Sequence, residues 1–251
     1  LYFGVLLALE KKRLRSLGYF TLYSLLAGGM AAVLLIPEVC AILQTDFGDM
    51  DFPKKVESYF SVLDMLARHC MCVYTERGLD HWPNIYCGSA ALMLIPMYVA
   101  NQKISIREKF CRLALAGFML LSFSTNILDF IWHGLNYPDS LPARQSFIYI
   151  LLVLVMCYDA YRHVKDAPPR MILYGYLAAV VFILFCEKFI DHEDFELGVK
   201  LLTLVFVTIY GILLYLYRTR REASARIGLA AAALAAVIAE CGINTWDTSV
   251  G

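Results

Sequence analysis

The amino-acid sequence predicts an all-α fold: a polytopic integral membrane helix bundle of about eight transmembrane helices with an amphipathic helix on its outer face. Three observations carry that expectation. The 251 residues are 60% hydrophobic and 18% charged, with a mean hydropathy of +0.61, whereas soluble domains carry roughly 25% charged residues. Apolar stretches recur eight times along the chain, and basic residues fall on every second connection between them. Buried helices of a soluble protein are the competing reading, but too little polar sequence remains to cover eight such stretches. The composition also excludes a disordered chain, a collagen-like fibre and a basic nucleic-acid-binding domain, so no nucleic acid is expected among the partners.

The stretches are 1–9, 17–36, 85–100, 110–127, 147–161, 171–186, 199–217 and 227–243, within a single membrane domain covering 1–251. A spanning helix needs roughly 17–25 residues. The second and seventh stretches meet that length outright. The shorter ones are flanked in several cases by Trp or Tyr, which favour the membrane interface. The chain opens at Leu1 inside an apolar stretch and stops at Gly251 just after another. This reads as an internal piece of a longer protein, the first stretch being the tail of a longer span.

Charge orients the bundle. Fifteen of the 22 basic residues lie on the connections after the first, third, fifth and seventh stretches, with only Glu10, Glu108, Asp159, Asp166 and Glu222 beside them. The net charge of zero therefore divides into +10 on one face and −10 on the other. Lysine and arginine accumulate in cytoplasmic loops. The acidic face and its longer connections, 37–84, 128–145 and 187–198, are thus expected on the extracellular side of the cell membrane, and the basic loops beside anionic lipid headgroups. The eight cysteines show no pair with redox or zinc spacing, since Cys70 and Cys72 are separated by one residue. Neither a disulfide framework nor a cysteine metal site is expected.

In the first outer loop, Val56, Phe60, Leu63, Ala67, Cys70 and Tyr74 recur at spacings of four and three, the stripe of an amphipathic helix lying on the outer interface or on neighbouring spans. Asp46, Asp49 and Asp51 resemble half of a calcium loop but lack its later Gly and Glu, and read as a solvated turn. The second outer loop is more informative. If the fourth helix runs on to His133, then Asn126, Asp129 and His133 share one face, and Asp129 lies one turn before the imidazole, where it can fix a tautomer. Gly134, Pro138 and Pro142 then keep the chain out of helix, and Arg144 precedes the next span. Arginine at a membrane boundary suits a phosphate. It equally suits anchoring a helix end at the headgroups, and the spacing does not separate the two.

These residues resemble the YfhO family of multi-spanning bacterial membrane proteins. The likeness rests on Trp132-His133-Gly134, Pro138, Leu141-Pro142, Arg144 and Ser146-Phe147. Pro83-Asn84-Ile85-Tyr86-Cys87-Gly88 supports it upstream, and Ile104-Ser105, Glu108-Lys109, Glu240 and Asn244 agree more weakly. Ala143 and Gln145 flank the arginine where members often carry aromatic residues.

The family resembles the GT-C glycosyltransferases, which take a sugar from a polyprenyl-phosphate carrier at the outer face. The resemblance implies transfer of that sugar to an envelope polymer such as lipoteichoic acid, with membrane lipid as the surrounding partner. It also implies a catalytic carboxylate in a first outer loop outside this sequence. Arg144 is then the first choice to stabilise the leaving phosphate, with His133 as a second donor and Asp129 or Asn126 as its orienter. Trp132 and Tyr137 suit stacking on a sugar or marking the interface. Asn84, Tyr86 and Glu240 complete the expected substrate-binding set. No resident cofactor is expected, although a divalent metal is compatible with Asp129. A lipid-linked sugar flippase and a non-catalytic envelope-assembly protein are the alternatives.

Overall fold

The computed structural model describes residue 4 and residues 13–44, 52–74, 82–135, 143–190, 195–220 and 222–249. Among these the regular structure is helical: α1 (Arg13–Ile42), α2 (Val62–Ala67), α3 (Ala90–Ala100), α4 (Ile106–Ser124), α5 (Asn126–Trp132), α6 (Ser146–Arg162), α7 (Pro169–Phe189), α8 (Leu197–Thr219) and α9 (Ala223–Ser249). An isolated β-bridge joins Ser58 to Thr125. Among the described residues four helices are long and apolar enough to cross a membrane: α1, α7, α8 and α9. The expected stretch 1–9 and the aspartates 46, 49 and 51 lie outside the described residues, apart from Gly4.

Local chemistry sets the boundaries. Ser105 caps α4, its Oγ accepting from the Glu108 amide at 3.2 Å, a geometry that satisfies one of the orphan donors of a helix start. Pro169 begins α7, where a missing N–H costs nothing. The apolar stretch expected at 17–36 extends as helix through Pro37 to Ile42 and buries none of its residues. Its bare apolar surface suits lipid rather than water.

Helices α3, α6, α7 and α8 form the packed centre, with α3 touching the other three, α4 on α6 and α9 on α8. The core is rich in methionine: Met65, Met71, Met93, Met97, Met119 and Met156 are all essentially inaccessible. Close approach of α3 to α7 depends on Gly175, where a Cβ would lie 2.6 Å from Met97 Cγ and 2.8 Å from the Met93 carbonyl oxygen. The end of the bundle that carries the basic loops is tied by ion pairs. Arg112 meets Asp159 and, at 2.8 Å, Glu108, while Lys103 meets Asp166 at 2.5 Å.

Three expectations are corrected. The amphipathic helix of the first outer loop is reduced to Val62–Ala67, capped by Ser61. Residues 57–59 instead lie extended along the end of α4, so Val56 is exposed while Ala67 and Cys70 are buried. The expected span 85–100 is helical only from Ala90, because Gly88 takes φ +98° and the Ser89 amide donates to Glu240. At 11 residues α3 rises roughly 16 Å, about half the hydrocarbon thickness. Finally, the helix expected to run from 110 through His133 breaks at Thr125.

Candidate functional site

The site begins at that break. Ser124, Thr125 and Asn126 end an apolar helix with three polar side chains, and Thr125 turns extended at φ −113°, ψ 123°. The freed backbone groups are taken up by residues 57–59. The Tyr59 amide donates to Ser124 O at 2.8 Å, and the Asn126 amide donates to Glu57 O at 3.1 Å. The Asn126 side chain closes the same junction: Oδ1 accepts from the Glu57 amide at 3.0 Å, and Nδ2 donates to Lys55 O at 2.9 Å. Asn126 is therefore engaged with the 55–57 segment. It does not orient His133 as the unbroken-helix reading expected.

One turn on, Asp129 is 1% exposed and meets His133. The imidazole Nδ1 lies 3.1 Å from Asp129 Oδ1 and 2.9 Å from Asp129 O, and the Tyr59 hydroxyl donates to Oδ2 at 3.4 Å. Both oxygens near Nδ1 are acceptors, so the hydrogen-bond network assigns the proton of the neutral ring to Nδ1. Nε2 then carries the lone pair. It is buried and has no hydrogen-bond partner. This revises the expected donor role: the neutral ring offers an acceptor at Nε2 and becomes a donor there only on protonation.

Beyond His133 the chain leaves helix through positive φ at Gly134 (+71°) and Leu135 (+66°), the Leu135 amide donating to Phe130 O at 2.9 Å. Tyr137, Pro138 and Pro142 fall outside the described residues. Arg144 is exposed at the head of α6, behind Ala143 at φ +49°. Trp132 is half-buried against the core, and Asn84 is exposed in the segment entering α3.

Tyr86 and Glu240 belong to a separate cluster. Glu240 Oε1 accepts from the Tyr86 hydroxyl at 2.5 Å and the Ser89 amide at 2.7 Å, and Oε2 accepts from the Tyr210 hydroxyl at 2.6 Å. The carboxylate is 2% exposed. One turn later, Asn244 Oδ1 accepts from the Cys72 amide at 2.8 Å. The two α9 side chains clamp segments 70–74 and 86–89 to the bundle, with every Glu240 oxygen occupied inside the chain.

Several contributors carry no sequence signal of their own. Tyr59, Tyr149 and Tyr210 sit among 16 tyrosines in all. Arg68 and His69 were findable, as a basic pair in the middle of an apolar loop segment. Both are buried: Arg68 donates to Pro83 O at 3.2 Å and Tyr74 O at 2.5 Å and lies 5.3 Å from the Trp82 ring centre. His69 holds Leu66 O through Nδ1 at 2.8 Å and the Tyr149 hydroxyl through Nε2 at 2.9 Å. Burial holds the His69 pKa below its ordinary value, against an opposing push from the Leu66 carbonyl. Among the described residues no three His, Cys, Asp or Glu side chains gather as a metal site.

Set against known proteins, residues 1–247 match the family model described as bacterial membrane protein YfhO. No curated protein and no solved structure matches the chain.

Proposed function

Because the chain belongs to the YfhO family of bacterial membrane proteins, we propose that it is a membrane glycosyltransferase of the cell envelope. It would use a polyprenyl-phosphate-linked sugar and an acceptor polymer such as lipoteichoic acid. In this reading the chain crosses the membrane about eight times, and the Asp129–His133 end of the bundle faces outward. The basic loops face the cytoplasm. The observation that carries the reading is the Asp129–His133 pair, whose buried Nε2 is left without a partner at the loop that precedes Arg144.

Sugar transfer breaks the bond between the anomeric carbon and the carrier phosphate and joins that carbon to an acceptor hydroxyl. Negative charge grows on the departing phosphate, and a guanidinium at a low-dielectric boundary stabilises it. Arg144 serves that role. The Nε2 lone pair of His133 suits a hydroxyl that donates, on the sugar or the acceptor, better than a phosphate oxygen. Trp132 suits stacking on the sugar.

In the full-length protein, Arg144→Ala and His133→Phe should each abolish glycosylation of the envelope polymer while leaving the protein in the membrane. Unchanged polymer sugar content would refute the assignment. A flippase is separated by supplying labelled lipid-linked sugar in detergent: an enzyme releases sugar to an acceptor, and a flippase does not.

A further inference from the structure

A cavity of about 440 Å³ lies where three elements meet, at the end of the bundle that carries the basic connections. The chain leaving α3, the connection from α6 and the first turns of α7 surround it. Lys103, His163, Asp166 and Arg170 are its ionisable residues. Lys103 Nζ holds Asp166 Oδ2 at 2.5 Å, so the carboxylate is answered while the ammonium keeps further donors. His163 spends Nδ1 on Asp159 O at 2.8 Å. Among the described residues the Arg170 side chain forms no ion pair and no hydrogen bond, which leaves its guanidinium fork open. The N-terminus of α7, a helix of 21 residues, adds the partial positive charge of its dipole.

Asn101 supplies the observation that points to a ligand. It lines the same cavity and is 4% exposed. Its Oδ1 accepts from the Lys103 amide at 2.9 Å, and that bond fixes which end of the side-chain amide is the nitrogen. Nδ2 is buried and, among the described residues, has no hydrogen-bond partner. An unmet buried donor is costly, and an acceptor inside the cavity removes that cost. Asn101 Nδ2, Lys103 Nζ and the Arg170 fork are thus open donors around one space. Their complement is an anion rich in acceptor oxygens, and phosphate matches a guanidinium in geometry. His163 Nε2, a lone pair while the ring is neutral, suits a hydroxyl beside that phosphate.

Arg170 also lines a second cavity, an apolar one of about 450 Å³ between α7 and α8, bounded by Ile172, Leu173, Gly211 and Ile212. The same residue therefore borders a polar space and an apolar one. A soluble phosphate would use only the first, whereas an amphiphile uses both. Basic pockets between helix ends at a membrane face are where lipid headgroups are held. We propose that the Asn101–Lys103–Arg170 cavity binds the headgroup phosphate of an anionic membrane phospholipid, an acyl chain lying against the α7–α8 groove. The site stands at the opposite end of the bundle from Asp129 and His133 and does not depend on the glycosyltransferase reading.

The test titrates the delipidated full-length protein in detergent with phosphatidylglycerol and follows bound lipid by native mass spectrometry. Concentrated ammonium acetate screens charges that merely face the membrane. Under that condition phosphatidylglycerol should bind and phosphatidylcholine should bind far more weakly. Arg170→Gln should weaken phosphatidylglycerol binding about tenfold or more, the loss of one bond to a charged group. Arg170 is exposed, so this variant keeps the fold. Asn101→Asp retains the acceptor for the Lys103 amide, replaces the open donor with a negative charge, and should weaken binding at least as far. Arg107→Gln removes an exposed basic residue outside the cavity and should leave binding unchanged. Equal binding of phosphatidylcholine, undiminished binding in Arg170→Gln, or equal losses in Arg170→Gln and Arg107→Gln would overturn the site. Glycerol phosphate competing as well as phosphatidylglycerol would overturn the lipid and make a soluble phosphate the ligand.

Discussion

Two glycines inside helices are expected to respond to the same substitution with opposite signs. At Gly175 a new Cβ would lie 2.8 Å from the Met93 carbonyl oxygen, and 2.6 and 3.1 Å from Met97 Cγ and Sδ. The Met97 side chain can change rotamer, but the Met93 oxygen belongs to the α3 backbone. Relief requires α3 and α7 to separate by several tenths of an ångström, in a core where Met93 and Met97 have no accessible surface. Overpacking of that kind costs about 1–3 kcal/mol, and the gain in helix propensity returns about 1 kcal/mol. The balance is a loss of up to roughly 2 kcal/mol, which at about 2–4 °C per kcal/mol lowers Tm by up to roughly 8 °C. Gly117→Ala meets no neighbour within 4 Å, so only the propensity gain acts and Tm should rise by about 1–4 °C. A thiol-reactive dye follows both transitions in detergent, because Cys70, Cys157 and Cys186 are buried until the bundle opens. Equal shifts, or a rise at Gly175, would refute the close α3–α7 contact.

Three further outcomes follow from the polar clusters. Tyr210→Phe and Tyr86→Phe each remove a donor from the Glu240 carboxylate and should cost about 1.5–3 kcal/mol, the range for bonds to a charged group. Because they share one acceptor, the double variant should depart from additivity, which a double-mutant cycle of Tm values reads directly. Asn126→Ala removes the partner of the Glu57 amide and the Lys55 carbonyl and should cost about 0.5–1.5 kcal/mol per bond, with limited proteolysis locating new cleavage at 52–60. His69 has a folded pKa below its unfolded value, so the unfolded chain binds more protons as pH falls. Its contribution is complete above about pH 6.5 and is lost as pH drops below that value toward the folded pKa. Tm measured across that interval should fall in the parent and fall less steeply in His69→Gln.

Fold class was legible because it depends on composition and periodicity, and no local detail can reverse it. Pairing was not. Ser124, Thr125 and Asn126 sit at the end of an apolar stretch and resemble the polar edge of a continuing helix. What breaks the helix is residues 57–59, far away in sequence, which supply competing donors and acceptors to the same backbone groups. The Val56–Tyr74 stripe failed for the same reason, its first part being recruited to the bridge. Asp129 and His133 survived the break because their relation spans one helical turn and α5 preserves it. The Glu240 cluster needed three separate segments, and only Glu240 and Tyr86 had any sequence signal, through resemblance.

Irregular backbone is costly inside a bilayer unless the protein itself satisfies the freed groups. In this fold it is concentrated at one end. There α3 begins late, α4 breaks early, and segments 52–60, 70–74 and 82–89 fill the space the shortened helices leave. The donors are answered in turn by Asn126, Asn244, Thr203 and Glu240. At the opposite end the helices finish in ion pairs among short basic connections. A bundle meant only to fill a membrane needs no such asymmetry. The end whose backbone is held by buried polar side chains is also the end carrying the one imidazole nitrogen that, among the described residues, is buried without a partner. Rigid support beneath an unspent polar atom is the arrangement a binding site requires, and it is why the Asp129–His133 end, rather than the basic one, is the place to look for chemistry.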